Sequence, residues 1–307
     1  MQTAYISHPE FLKHDMGPDH PECPARMYAV TDQLIASGLF DFLNQYDAPP
    51  VSRETLALAH SADYIDWVFN RSPESGLVDL DGDTMMNPYT LDAALLATGA
   101  VVKGVDLVMS GEANNVFCNI RPPGHHAKRN GASGFCIFNN VAVAAAYALA
   151  HHGLQRVAIV DFDVHHCDGT EDIFHDDPRV MVCSTFQHPY YPYSSPDSGN
   201  EHIINVPLSA GCTGEQFRDA VTAQWLPALE QFAPEIIFIS AGFDAHWEDD
   251  MGDIQLHEKD YLWVTQTLKV VAKKHANNRI VSALEGGYSL HALGRSVMTH
   301  VKCLSDL

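Results

Sequence analysis

The stretch VAIVDFDVHHCDG, residues 157–169, runs from an apolar segment directly into a dense group of acids and histidines. Its first part, residues 157–160, predicts a buried strand. Strand alternation would place Asp161, Asp163 and His165 on one face where this strand ends. Carboxylate oxygens and imidazole nitrogens together suit a divalent metal of the zinc type. The stretch therefore predicts a strand of a buried sheet with a metal site at its carboxyl end.

The segments on either side of this stretch alternate between predicted strands and helices. We expect further strands over 3–6, 115–119, 180–184, 203–206, 235–240 and 279–284, and long helices over 24–37, 91–109, 139–151, 216–232, 257–275 and 290–303. Such alternation is typical of an α/β fold with a mostly parallel sheet covered by helices on both faces. The sequence has no internal repeat and no linker with a composition shift. We therefore expect a single domain over residues 1–307.

The composition limits the possible partners and location. The formal net charge is −21, from 39 acidic and 18 basic residues, which speaks against nucleic-acid binding. The same charge is compatible with cationic substrates, and equally with plain solubility. The seven cysteines include no Cys-x-x-Cys pair, so a reducing compartment is expected. The N-terminus lacks the pattern of a signal peptide, and the longest apolar run, 141–150, is too short to span a bilayer. We predict a cytoplasmic protein with no membrane partner, and the oligomeric state stays open.

Polar or glycine-rich residues directly follow the predicted strands that end near residues 119, 162, 240 and 284. Because ligands of open parallel sheets bind at the carboxyl ends of the strands, these loops are expected to meet at one site. Asp244 would join Asp163 and His165 there as a third metal ligand, although an isolated Asp after a strand is more often a helix cap. Three protein ligands leave one position for water and substrate, as catalytic zinc requires.

The loops also carry candidates for proton transfer. His125 and His126 are adjacent imidazoles, the side chain used most often for acid–base work near neutral pH. Asp161 and Asp168 are the carboxylates suited to fix their tautomers. Tyr288 follows two glycines and is suited to donate a hydrogen bond to an oxyanion. The combination predicts a metal-assisted hydrolase of amides or esters.

The sequence resembles the zinc-dependent histone deacetylase family, including its bacterial deacetylase-like and acetylpolyamine amidohydrolase branches. The matching segments are HPECPAR (20–26), RPPGHHA (121–127), GFCIFN (134–139), DFDVHHCDG (161–169), SAGFD (240–244) and EGGY (285–288). The resemblance implies the arginase/deacetylase fold with an eight-stranded parallel sheet. It implies zinc at the three ligands named above and catalysis by the paired histidines and Tyr288. The implied reaction removes an acetyl or other acyl group from acyl-lysine in a peptide, or alternatively from an acetylpolyamine or other small acetylated amine.

The same resemblance implies roles around the substrate. Phe135 resembles one wall of a narrow acyl-lysine tunnel, and Gly134 resembles the residue whose carbonyl contacts the leaving amine. Arg26 is similar to an arginine that lines an inner acetate channel. Asp83 is similar to a rim acid that holds the substrate backbone. Met251 stands where polyamine-selecting relatives carry a glutamate, which favours a neutral tail, although acids at 74, 79, 81 and 83 keep polyamines open.

The resemblance further implies a structural K⁺ ion bound by Asp161 and Ser184, with a second monovalent site near residues 174–180. Cys167 departs from the family, which usually has glycine there, so we expect altered loop geometry beside His165. The wall opposite Phe135 is usually aromatic, and Phe186, His188 and Tyr190 all remain candidates.

Two other functions stay open from the sequence. A two-metal, arginase-like hydrolase would need additional bridging acids. A non-catalytic acyl-binding module would not need intact His125, His126 and Tyr288.

Overall fold

Eight parallel strands form the central sheet of the computed structural model, which describes residues 3–307. The strands of this part of the chain are β1 (Thr3–Ser7), β2 (Asn44–Asp47), β3 (Val78–Asp79), β4 (Met85–Met86), β5 (Asn115–Cys118), β6 (Val157–Asp161), β7 (Val180–Gln187), β8 (Ile203–Leu208), β9 (Ile236–Ala241) and β10 (Ile280–Leu284). The order across the sheet is β2-β1-β5-β10-β9-β6-β7-β8. β3 and β4 pair separately as a short antiparallel hairpin.

Helices cover both faces of the sheet. They are α1 (Ala25–Ala36), α2 (Arg53–Leu56), α3 (Ala62–Arg71), α4 (Thr90–Ser110), α5 (Asn140–His152), α6 (Asp168–Phe174), α7 (Gly214–Phe232), α8 (Glu258–His275) and α9 (Leu290–Leu304), with short 3₁₀ turns at Pro9–Leu12 and Leu39–Phe42. Strand β6 shows how the sequence fills both sides. Val157 and Ile159 belong to the hydrophobic core shared with α4 and α5, whereas Ala158 and Val160 belong to the core shared with α7, α8 and α9. Because both faces are buried, the strand has an uninterrupted apolar sequence.

Helix α4 has the length and hydropathy of a membrane-spanning segment. However, 67% of its most apolar window is buried inside the fold, where it packs on α5 and β5. A central helix of a folded α/β core has the same composition.

The predicted sheet is confirmed, with three local differences. Strand β2 was missed because its sequence, Asn-Gln-Tyr-Asp, is polar, and it pairs only with β1 at the edge of the sheet. The β3–β4 hairpin lies between α3 and α4, in a segment where the sequence pattern predicts no strand. Asp168 begins helix α6, which the sequence pattern had not indicated.

The four strands expected to share a site are neighbours in the sheet, in the order β5-β10-β9-β6. Their carboxyl ends point the same way because every pairing between them is parallel. The expectation that their loops meet is therefore confirmed.

Candidate active site

Asp163, His165 and Asp244 come together at the ends of β6 and β9, with one potential ligand atom from each lying within 4.8 Å of the others. His165 Nδ1 lies 2.9 Å from Asp163 Oδ1 and 3.3 Å from Asp244 Oδ2, so both carboxylates face the same ring nitrogen. All three side chains are buried. Two buried carboxylates beside one imidazole hold more negative charge than the ring can neutralise.

The hydrogen bonds of these carboxylates fit a bound divalent cation. Asp244 Oδ1 accepts the backbone N–H of Val164 at 2.9 Å, whereas Asp244 Oδ2 is buried with no hydrogen-bond partner among residues 3–307. Among the described residues, Asp163 Oδ2 accepts one hydrogen bond, from the N–H of Gly286 at 2.9 Å. Backbone donors thus fix each carboxylate, and one oxygen of Asp244 is left without a partner, as a metal ligand requires.

Two glycines make room for this arrangement. A Cβ atom at Gly242 would lie 2.0 Å from Asp163 Oδ2, and one at Gly286 would lie 2.0 Å from Asp244 Oδ2. Both glycines follow central strands, where the backbone passes directly against the carboxylates. The close approach of the loop at Gly286 agrees with the expectation from its two glycines, whereas the contact of Gly242 with Asp163 was not indicated by the sequence.

His125 and His126 lie beside the three ligands, with ring centroids 4.1 Å apart. His125 Nδ1 is 2.9 Å from Asp161 Oδ2, and His126 Nδ1 is 2.8 Å from Asp168 Oδ1. The expected pairing of each histidine with its own carboxylate is therefore present. Because Nδ1 is engaged in both rings, Nε2 is the nitrogen left for proton transfer.

The two histidines differ in their electrostatic surroundings. Burial opposes a charge on His125, but Asp163 and Asp161 outweigh it and raise the pKa of His125 well above its usual value. Burial and the neighbouring His125 lower the pKa of His126 to about 4. Burial would raise the pKa of Asp168, but the hydrogen bond from His126, followed by Lys128 Nζ at 3.0 Å from Asp168 Oδ2, lowers it to about 2. Lys128 was not singled out from the sequence.

Tyr288 reaches the same pocket from the loop after β10. Asp249 Oδ2 accepts the backbone N–H groups of Tyr288 at 2.6 Å and of Ser289 at 2.8 Å, so one buried carboxylate holds this turn. The other oxygen of Asp249 accepts the N–H of Met251 at 3.1 Å. Asp249 was missed from the sequence because its role lies in backbone hydrogen bonds rather than in a motif.

Glu285 ties the histidine loop to the last strand. Its Oε2 accepts the N–H groups of Gly124 at 2.6 Å and His125 at 3.1 Å, and its Oε1 accepts the hydroxyl of Ser240 at 3.2 Å. Burial raises the pKa of Glu285 to about 7. Glu285 therefore orients the backbone of His125.

Arg26 lies fully buried behind Tyr288, with its guanidinium carbon 4.9 Å from the Tyr288 ring centroid. It donates to the carbonyls of Gly287 and Glu285 and to Glu22 Oε1, the last at 3.0 Å. The carboxylate of Glu22 also receives two hydrogen bonds from Arg121. This buried group holds Arg26 at the inner end of the site.

A pocket of about 250 Å³ opens from the ligands to the surface. Its lining includes His125, His126, His165, Tyr288, Gly134, Phe135, Tyr190, Tyr191, Tyr193, Met251 and Asp83. Of the three candidates for the wall opposite Phe135, Tyr190 lines the pocket. Phe186 is instead buried against His166, with ring centroids 4.3 Å apart.

The remaining predicted rim residues also lie at this pocket. Gly134 has φ +55°, and a Cβ there would lie 2.4 Å from the His126 ring. Phe135 stands nearly perpendicular to Tyr288 at 5.9 Å between centroids, and its N–H donates to Thr84 of the β3–β4 hairpin. Asp83, in the turn of that hairpin, is exposed at the mouth.

A second group of potential ligands, His246, His257 and Glu258, lies at the start of α8. Glu258 Oε1 already accepts from Arg295 Nε at 2.6 Å, and His246 Nδ1 accepts the N–H of Glu248 at 3.2 Å. These contacts account for the group as ion pairing and hydrogen bonding.

Comparisons with known proteins agree with this geometry. The family model described as the histone deacetylase domain matches residues 20–304. The chain belongs to the histone deacetylase family. It is 37% identical over 277 residues to the histone deacetylase-like amidohydrolase of Pseudomonas aeruginosa, covering 88% of this chain and 73% of that one. It is 36% identical over 325 residues to the polyamine deacetylase HDAC10 of Mus musculus, covering 99% of this chain and 48% of that one. The solved HDA15 HD domain superposes with a TM-score of 0.94 at 32% identity, covering 99% of this chain and 88% of that one. The arginase/deacetylase fold expected from the resemblance is therefore confirmed.

Two neighbours of His165, Cys167 and His166, show how this histone deacetylase family member arranges the segment beside that ligand candidate. Cys167 is buried at φ −77° and ψ 56°, a backbone conformation that needs no glycine. A cysteine therefore fits this backbone without strain, and the comparison of this loop with the glycine-containing loop of relatives stays a prediction. His166, which follows His165 in the chain, instead contacts Ser194 and Glu171 through its two ring nitrogens.

Proposed function

We propose that the protein is a zinc-dependent amidohydrolase that removes an acetyl or acyl group from acyl-lysine in a protein or peptide. The observation that carries this proposal is one pocket lined by His165, by Tyr288 and by two histidines that are each paired with a carboxylate. Asp163 and Asp244, the other two potential metal ligands, lie directly against His165. Membership of the histone deacetylase family supports deacetylase chemistry. Zinc, when bound, supplies a Lewis acid for the carbonyl and lowers the pKa of a coordinated water.

The side chains of the chain itself would carry the remaining steps. Phe135 and Tyr190 would hold the aliphatic stem of the substrate between their rings. The Nε2 atom of either His125 or His126 would accept the proton of the attacking water. The Nε2 atom of one of these two histidines would then deliver a proton to the leaving amine. The phenol of Tyr288 would donate to the oxyanion of the tetrahedral intermediate. Asp161 and Asp168 would keep both rings in the tautomer that exposes Nε2.

Two classes of substrate are compatible with the residues that line the pocket. Met251 at the pocket lining supports a substrate with a neutral tail, such as acyl-lysine in a peptide. An acetylpolyamine or other small acetylated amine is the alternative, supported by exposed Asp83 at the mouth and by the similarity to a polyamine deacetylase. We still predict, from composition, a cytoplasmic location and no membrane or nucleic-acid partner. Oligomers are compatible with the sequence.

We also propose a structural K⁺ ion beside β6 and β7. Asp161 and Ser184 are opposite each other in the register of these strands. The Ser184 hydroxyl is buried and has no hydrogen-bond partner among residues 3–307, so its oxygen is free to coordinate a cation.

The test compares kcat/KM for an acetyl-lysine peptide, acetylputrescine and acetylspermine with one zinc-loaded preparation. Highest efficiency on the peptide supports the first substrate class. Highest efficiency on the acetylpolyamines selects the alternative, and the absence of acetate from all three substrates contradicts the deacetylase proposal.

A further inference from the structure

The aromatic loop, which we define as residues 188–200, supplies one wall of the active-site pocket through Tyr190, Tyr191 and Tyr193. Within residues 3–307, one hydrogen bond joins its segment 189–197 to the rest of the fold. This bond links Ser194 Oγ and His166 Nδ1 at 2.5 Å. The other hydrogen bonds of that segment stay inside the loop. The position of the tyrosines therefore depends strongly on Ser194.

The partner of Ser194 is firmly held. His166 Nε2 lies 2.8 Å from Glu171 Oε2 on α6, and the same oxygen accepts Asn205 Nδ2 of β8 at 2.7 Å. Because the carboxylate accepts, Nε2 carries the proton in the neutral ring, and Nδ1 then accepts the Ser194 hydroxyl. His166 is buried and packs against Phe186 of β7, with 31° between the ring planes. Side chains from three elements thus fix the ring to which the loop is attached.

The loop attached at this point touches the reacting groups. The Tyr190 ring stacks on His165 at 5.9 Å between centroids and 22° between planes. The Tyr191 ring meets His126 edge-on at 5.2 Å. A shift of this wall would change the width of the passage facing Phe135 without moving a metal ligand.

We propose that Ser194 is a positioning residue, whose hydrogen bond to His166 holds the tyrosine wall and so sets substrate grip and selectivity. The inference rests on the proposed deacetylase function, because it assigns the pocket to the substrate chain. Losing one intramolecular hydrogen bond should shift the equilibrium between the held and the displaced wall about three- to tenfold towards the displaced position. KM for an acetyl-lysine peptide rises by that factor in Ser194→Ala, while kcat and zinc content stay close to wild type. Discrimination against substrates with a branched chain next to the amide falls in the same variant.

The experiment uses two comparison variants. Ser194→Thr keeps a hydroxyl at the same position and should restore KM. Ser195→Ala removes the neighbouring hydroxyl, which bonds to Asp197 inside the loop, and should behave as wild type. Equal KM values for Ser194→Ala and Ser195→Ala would overturn the proposal, as would a Ser194→Ala variant that loses zinc or kcat instead of gaining KM.

A second readout separates this inference from the proposed function. The Tyr193 amide donates to the Tyr190 carbonyl at 2.8 Å, so its hydrogen exchange reports on the loop directly. Exchange about three- to tenfold faster in Ser194→Ala, but unchanged in Ser195→Ala, supports the anchor even in a protein without deacetylase activity. Unchanged exchange in both variants refutes it even if the wild-type protein is an active deacetylase.

Discussion

The close contact between Gly286 and the carboxylates of the proposed metal site makes Gly286→Ala the most informative single substitution. The backbone of Gly286 lies outside the positive-φ region, so alanine is not strained by its own conformation. The new Cβ would lie 2.0 Å from Asp244 Oδ2 and 2.6 Å from Asp163 Oδ2. Real Cβ contacts start near 3.0 Å, so Asp244 Oδ2 must move by about 1 Å. Metal sites tolerate roughly 0.2 Å in ligand distance. We expect zinc affinity to fall by at least about 100-fold, the upper end of what loss of a supporting contact costs.

The assay is a competition titration of zinc against a chelator, with protein folding followed by circular dichroism. The matched control is Gly131→Ala, because Gly131 also lies in a loop outside the positive-φ region and a Cβ there meets nothing within 4 Å. The control should bind zinc like the wild type. A folded Gly286→Ala protein with wild-type zinc affinity would refute the placement of the ligands.

Three further predictions concern groups around the ligands. Tyr288→Phe should lower kcat about 10²–10³-fold, the effect of losing one oxyanion donor, in a steady-state assay with zinc content unchanged; a wild-type kcat would remove this role from the phenol. Asp249→Ala should lower kcat about 10–100-fold because the backbone of Tyr288 loses its acceptor, whereas Asp250→Ala, an exposed neighbour, should leave kcat unchanged. Glu22→Gln should lower the free energy of unfolding by about 3–5 kcal/mol in urea near pH 7, since it leaves Arg121 buried without its carboxylate. Burial alone would raise the pKa of Glu22, but Arg121 and the other partners of Glu22 hold this pKa well below the usual value. The stability difference between wild type and Glu22→Gln should therefore be fully present above the ordinary glutamate pKa and shrink as the pH falls below it. A stability difference that grows in acid would contradict this pH dependence.

The sequence predicted the sheet well because its central strands are buried on both faces. Strands such as β6 and β9 need continuous apolar residues, and that pattern is local. The edge strand β2 escaped prediction because its residues are polar and give no apolar strand pattern. Its backbone pairing with β1 makes it a strand, and that pairing is not visible in the local sequence. The same holds for the two-residue strands β3 and β4, whose hairpin carries Asp83 to the pocket mouth.

Some residues of the candidate site were also predictable from local sequence, whereas others were not. Asp163, His165 and the histidine pair stand in compact motifs, so the sequence indicated them directly. Asp249 and Glu285 act through backbone N–H groups of residues 39 to 161 positions away, which no local pattern records. Phe186, near the end of β7, packs against buried His166, whereas Tyr190 in the loop that follows lines the pocket. This choice between the two aromatic residues is a property of the folded chain.

The central claim is that one metal ion, held by Asp163, His165 and Asp244, supports removal of an acyl group in this pocket. The most direct measurement adds zinc in steps to metal-stripped protein and follows acetate release from an acetyl-lysine peptide and from acetylputrescine. We predict that turnover on at least one of them rises from near zero to a plateau at one zinc per chain. A plateau at two zinc ions per chain, turnover without metal, or no acetate at any zinc concentration would contradict this account.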